Sequence, residues 1–300
     1  MIAANVQRIA LAAGLTIASF GAAHACAQYD AVVAAVQGDD APRAAELFEE
    51  ISVSAACDDA LREWVGDYLA RESFLFAVNG AETPQLRREA LEQALAYEKH
   101  WRSYAELGRL DWELQNYAPA ATSFQLALNE LVDGDPSHEA TDEEIAEIYE
   151  LASAAVALAD TPVSMPSTRS GEAGGIFKTK IRGFTVEEVP LPITFAFDST
   201  DFDDTGLSYA NALADHVMML SPSSVRLAGH TDPVGDAGYN MGLSEARAMA
   251  VAEFLRAAGF DGEIEIAAYG ETQVPEPPIG IEADSEEHHR IARRVAFSAE

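Results

Sequence analysis

The sequence predicts a two-domain chain, with all-α helical hairpins first and an α/β domain after them. Three observations carry this. From Gln28 to Asp160, apolar residues recur every three or four positions among Ala, Leu and Glu, which is helical periodicity. Asp160 to Gly175 reads DTPVSMPSTRSGEAGG, rich in Pro, Ser, Thr and Gly and without period, as a linker does. Beyond it, short β-branched and aromatic runs alternate with helical stretches, the pattern of one α/β domain.

The chain opens with MIAANVQRIALAAGLTIASFGAAHA. Arg8 is its one charge, an apolar run from Ile9 to Phe20 follows, and Ala23-His24-Ala25 closes it. That is the layout of a secretory signal peptide over residues 1–25. An uncleaved anchor helix is the rival reading, although the run is short for a bilayer span. No later stretch is long and apolar enough to span, so no transmembrane segment is expected in the mature chain. Export makes a Cys26–Cys57 disulfide the expected state of the two cysteines. Two alternatives stay open: lipidation of Cys26, or cleavage after Ala27, which would remove it.

Over 300 residues, Lys and Arg number 19 against 50 Asp and Glu, a formal charge of -31. Such a chain is repelled by phosphate backbones and anionic lipid, which excludes nucleic-acid binding.

The first domain is expected over 26–160. Turn signals fall at Gly38-Asp39-Asp40, at Asn79-Gly80 with Pro84, at Gln115-Asn116-Tyr117 and at Asp133-Gly134-Asp135-Pro136. Helices between such short turns form hairpins. WRSYAELGRLDWELQNYAPAATSFQLALNE, from Trp101, is the most specific stretch. Gly108 and the small Ala120 and Ala127 suit close helix crossings, and Trp101, Tyr104, Leu107 and Phe124 fill the space between. The segment resembles a tetratricopeptide repeat, with Asp111 in place of the usual aromatic. Asp40 to Phe48 echoes its second helix. Asp142 to Ala159 reads as a capping helix, with Thr141 or Asp142 as its N-cap. The resemblance implies a surface for a partner protein of the cell envelope; a plain helical spacer is the alternative.

A flexible linker is expected over 161–178, and the α/β domain over 179–300. Phe184–Val189, Ile193–Phe197, Val225–Ala228, Glu263–Ala268 and Arg294–Ser298 read as strands. Gly206–Leu220 and Leu243–Ala258 read as helices, the second closed by Gly259. Ile281–His289 reads as an acidic, solvated loop.

Within this half, Ile193-Thr-Phe-Ala-Phe-Asp-Ser199, Gly229-His-Thr-Asp232 with Gly235, Tyr239-Asn240, Leu243-Ser244, Arg247-Ala248 and Arg293-Arg294-Val295 stand in order. The ordered set resembles the OmpA-like family of peptidoglycan-binding domains over about residues 180–300. The resemblance implies non-covalent binding of the diaminopimelate in the wall's stem peptide. It implies Asp232 as acceptor of the diaminopimelate ammonium and Arg247 as partner of its carboxylate. Asn240 and Asp198 would line the pocket, and Arg293 would stand at its rim.

The residue types suit that ligand. Diaminopimelate ends in a zwitterion, which needs an anion and a cation a few ångströms apart, and arginine offers a bidentate fork for carboxylate. Gly235 and Gly238 allow a tight loop. Asn240 and Ser244 sit where a helix start would add N–H donors. The plainer reading pairs Asp232 with Arg247 as a loop-to-helix staple, with His230 capping a strand end. One departure stands out: Ala292 occupies the place of the family's usual asparagine before the paired arginines.

No phosphate loop, GxSxG or HExxH is present. Neither catalysis nor a cofactor is expected. His288-His289 lacks a third ligand at metal-binding spacing, so no metal is expected. The combined expectation is a wall-tethered protein of a Gram-negative periplasm, with outer-membrane association left open. An envelope protein–protein scaffold with a secondary or inactive wall site is the alternative.

Overall fold

The computed structural model describes residues 26–135, 138–161, 163, 174–177, 180–186, 188–191, 193–196 and 199–299. The expected signal peptide, 1–25, and the candidate site residue Asp198 lie outside the described residues. No described helix is long and apolar enough to cross a membrane.

The chain divides into two compact units, at Leu69/Ala70. The first contains α1 (Tyr29–Gln37), α2 (Ala41–Ser52) and the beginning of α3 (Asp59–Asn79). Asp40 caps α2 by accepting from the Arg43 amide at 3.1 Å, and Pro42 lies in its first turn. Val32, Leu47, Ile51, Leu61 and Val65 are buried. Cys26 and Cys57 form a disulfide. Arg62 donates to the main-chain oxygens of Ile51, Ser54 and Cys57, fixing the loop that carries the second cysteine.

The second unit continues with α4 (Pro84–Tyr97), α5 (Trp101–Glu113), α6 (Tyr117–Asp133) and α7 (Asp142–Leu158). Turns fall at the signalled Asn79-Gly80, Gln115-Asn116 and Asp133-Gly134, whereas the break between α4 and α5 after Tyr97 carries no Gly or Pro signal and was not expected. Thr141 and Glu144 form a reciprocal capping box at the start of α7. At Gly108 a Cβ would lie 2.8 Å from the Phe124 ring, so only glycine allows α5 to approach α6 this closely. Asp111 is buried and takes both terminal nitrogens of Arg88, at 2.6 and 3.2 Å. The carboxylate thus ties α5 to α4 through a bidentate ion pair. Trp112 is buried as well and donates its indole N–H to the carbonyl of Ile279 at 2.8 Å.

The α/β part holds the β1–β2 hairpin (Lys180–Ile181, Phe184–Thr185), β3 (Val189–Leu191), α8 (Asp204–Leu220), β4 (Ser224–His230), α9 (Ala237–Ala258), β5 (Glu263–Gly270), α10 (Glu286–Ala292) and β6 (Val295–Ala299). The main sheet has the order β3-β6-β4-β5. β4 and β5 are parallel and joined through α9, whereas β6 lies antiparallel to β4 and to β3.

The fold class is as the sequence predicts, and several elements differ. Ile193–Phe197 is not a strand over its described residues; Phe195 makes one isolated bridge to Phe202. α9 begins at Ala237, six residues before the expected Leu243, because Asp236 caps it by accepting from the Tyr239 amide. The expected acidic loop over 281–289 turns into α10 at Glu286, capped by Ser285 and with two glutamates in its first turn.

Within the expected linker, Thr161 is exposed, whereas Val163 and residues 174–177 are packed. Val163, Ile176 and Phe177 are buried in one core with Phe124, Tyr149, Leu213 and Phe297. Asn129 accepts from the Gly175 amide at 2.7 Å, and Phe177 packs against His216 in a tilted ring pair with centroids 4.8 Å apart. A single core therefore runs from α5–α7 into the sheet.

Candidate functional site

The site forms where β4 ends and α9 begins. Gly235 has φ +114, a left-handed turn that aims the chain from the strand into the helix. Asp232 closes the start of this turn, its Oδ1 accepting from the Val234 amide at 3.0 Å. Its Oδ2 accepts from Arg293 Nη1 at 2.7 Å. Arg293 Nη2 in turn donates to Glu286 at 2.6 Å. Burial works against the Arg293 charge, but the bonds from Glu286 and Asp232 outweigh it and raise the pKa above the ordinary arginine value.

Asn240, one turn into α9, is 3% exposed. Its amide nitrogen donates to the carbonyls of Asp232 and Val234 and to Glu271 Oε2, at 3.3, 3.2 and 2.7 Å. It holds the loop from behind. Ser244 is fully buried; it donates to the Met241 carbonyl and accepts from the Gly270 amide. Since α9 starts at Ala237, neither residue is at a helix start with free N–H groups, as the sequence had suggested. His230 is buried and stacks on Tyr269; neither ring nitrogen has a hydrogen-bond partner among the described residues, so its side chain caps nothing there. His288, half of the His-His pair, instead bonds the Pro275 carbonyl and the Asp284 amide.

Arg247 lies further along α9. It is 9% exposed, and its guanidinium carbon lies 5.0 Å from the Phe195 ring centroid, a cation–π distance. It lines a cavity of about 360 Å³ together with Arg290, Arg293 and Arg294. Ile193, Thr194 and Phe195 form one wall, Asp203 and Thr205 at the start of α8 another, and Ala157, Ala159 and Asp160 at the end of α7 a third. In a chain with 19 basic residues and a charge of -31, four guanidiniums converge on one polar cavity.

The structure thus brings together Arg247 and Arg293 on the cavity and joins Asp232 to them through Arg293. The ion pair of Asp232 is with Arg293, so the loop is stapled to the segment before β6. Sequence reasoning missed Arg290, Arg294 and the end of α7. The doubled Arg293-Arg294 was a signal for one of them. Arg290 became visible only once α10 was seen to be a helix.

Residues 194–286 match the OmpA family. A peptidoglycan-associated lipoprotein of Legionella pneumophila is 38% identical over 104 residues, which are 34% of this chain and 56% of the relative. Outer membrane porin F of Pseudomonas aeruginosa is 33% identical over 117 residues, 38% of this chain and 32% of the relative. The chain therefore spans about half, or less, of these relatives' length. Among solved structures, the cell wall anchor of the T6SS from Pseudomonas aeruginosa aligns at 26% identity with a TM-score of 0.31, covering 37% of this chain and 80% of that one. The family match takes in Asp232, Asn240 and Arg247 and stops before Arg290, Arg293 and Arg294. Residues 194–286, with β4, α9 and β5 as their frame, are an OmpA-family domain.

Proposed function

We propose that the protein binds peptidoglycan non-covalently, through the diaminopimelate zwitterion of the stem peptide. The observation that carries this is a polar cavity lined by Arg247 and Arg293, with the Asp232 carboxylate bonded to Arg293 at 2.7 Å. A carboxylate offers about four acceptor positions, and Asp232 uses two, leaving room for an ammonium. Arg247 takes the ligand carboxylate through its planar fork. Asn240 acts by holding the loop rather than by touching the ligand. With about 1.5–3 kcal/mol per charged hydrogen bond, a few contacts give roughly micromolar affinity. Many copies on a polymeric wall add avidity.

The relatives' names, peptidoglycan-associated lipoprotein and outer membrane porin, support an envelope location for this chain. In this reading residues 1–25 direct export, the protein works in the periplasm against the wall, and its role is binding rather than catalysis. The helical half then presents a partner surface of the tetratricopeptide kind. Leu75, Phe76, Val78 and Leu86, exposed by 43, 49, 37 and 42%, favour contact there with another envelope protein.

Co-sedimentation with purified sacculi tests the wall reading. Arg247→Ala and Asp232→Ala are each expected to lose at least about tenfold in binding, since truncating one side of a buried charge contact costs roughly 2–5 kcal/mol. Wild-type retention in both variants would refute the clamp.

A further inference from the structure

The cavity holds more cations than a zwitterion clamp uses. Arg247 and Arg293 serve the clamp, and Arg290 and Arg294 remain. Arg294 precedes β6 and reaches only main-chain oxygens, those of Ala292 at 3.4 Å and Gln273 at 3.3 Å. Among the described residues no carboxylate forms an ion pair with it. Burial brings its pKa down to about 10, with Glu188 opposing only in part. A half-buried cation without a counter-ion is held at some cost, and an arriving anion relieves that cost.

Arg290 is differently placed. It donates to Asp160 at 3.4 Å and to the carbonyl of Ala159 at 3.2 Å, the residue that ends α7. The Asp160 side chain is 91% exposed. A long, exposed ion pair of this kind contributes little and yields readily to a ligand carboxylate. Its geometry also places the end of α7 on the cavity wall, outside the family-matched segment.

We propose that Arg290 and Arg294, walled by the end of α7, form a second anion subsite beside the clamp. The ligand class is then a peptide with a free carboxylate in addition to the one on its zwitterionic end. This rests on the wall-binding reading and adds a selectivity to it: stem peptides in which that second carboxylate is masked as an amide bind more weakly. The subsite also makes binding a property of the chain with α7 in place.

Calorimetric titration of the full chain tests this with three synthetic stem tripeptides ending in diaminopimelate. The zwitterionic end is intact in all three. One has every carboxylate free; in the second the backbone carboxyl of diaminopimelate is amidated; in the third the carboxyl of the preceding residue is. One of the amidations is expected to weaken wild-type binding roughly tenfold, as loss of a charged hydrogen bond does. Arg290→Gln and Arg294→Gln are each expected to shrink that difference, whereas Arg294→Lys keeps part of it. Arg290 lies at a partly exposed rim, so its variant reports on binding even if loss of the more buried Arg294 lowers the melting temperature.

Equal affinity for all three peptides, with binding still lost in Arg247→Ala, overturns the second subsite and leaves the clamp standing. Undiminished discrimination in both Gln variants overturns it too. A wild type that binds none of the peptides and does not sediment with sacculi overturns both readings.

Discussion

Asp111 and His230 are both buried polar residues, and the fold treats them in opposite ways. Asp111 is 2% exposed and fully engaged by Arg88. Removing Arg88 strands a carboxylate, so Arg88→Ala is expected to cost about 3 kcal/mol in chemical denaturation. Replacing Asp111 by leucine in the same background should recover much of that; a double variant no more stable than the single one would count against the account. His230 is 1% exposed, and burial first, then the Arg294 charge, holds its pKa down to about 3. Above the ordinary value near 6.5 it is neutral folded and unfolded. Below that, the unfolded chain takes up a proton that the folded chain refuses, so stability falls as pH falls, by about 1.4 kcal/mol per unit, until about pH 3. His230→Phe is expected to remove this part of the acid slope and to tolerate neutral pH well, because the ring nitrogens have no partner to lose. Urea titrations at pH 7, 6 and 5 measure the difference; parallel pH slopes for the variant and the wild type would refute it.

At the scale of elements, Gly108 sets how closely α5 and α6 pack. Gly108→Ala drives a methyl to 2.8 Å from Phe124, an overpacking expected to cost about 1–3 kcal/mol. Phe124→Leu in the same chain should relieve part of it, and the thermal midpoints of the single and double variants decide. This contact was expected through the resemblance to a tetratricopeptide repeat, whose offsets set Gly108 and Phe124 on two adjacent helices, here of 13 and 17 residues. The N-cap of α7 was legible as a local signal, though split between Thr141 and Asp142, and the structure gives it to Thr141 in a capping box with Glu144. What failed was short or distant. β1, β2 and β3 have two or three residues each, too few for alternation to show. α10 is seven residues of mostly polar character, and its cap, Ser285 before two glutamates, was read as loop composition. In the site, Asp232 and Arg247 were expected through the family resemblance, whose ordered segments run along one turn and the helix after it. The bond from Arg293 to Asp232 spans 61 positions. It depends on β6 lying antiparallel beside β4, which no local pattern announces.

Across the whole molecule, two units of very different size share one chain, and they depend on different forces. Residues 70–300 hold a core that runs from Trp101 to Phe297 and need no covalent help. The first unit ends at Leu69 and is far below the size at which burial alone gives a comfortable margin. Its disulfide closes a loop with a sequence separation of 31, around α1 and α2. In the chain-entropy account a loop of that length is worth roughly 3–4 kcal/mol, most of what a unit this small has. Reduction is therefore expected to destabilise the first unit selectively. Scanning calorimetry in the presence and absence of reductant should show the transition of residues 26–69 shifted down by ten degrees or more, or lost, on the order of 4–8 °C per kcal/mol for small domains. The transition of residues 70–300 should keep its midpoint, and so should sacculus binding, because every cavity residue lies in that unit. If reduction lowered both transitions equally or abolished wall binding, the two units would be one cooperative body and the disulfide would support the site as well.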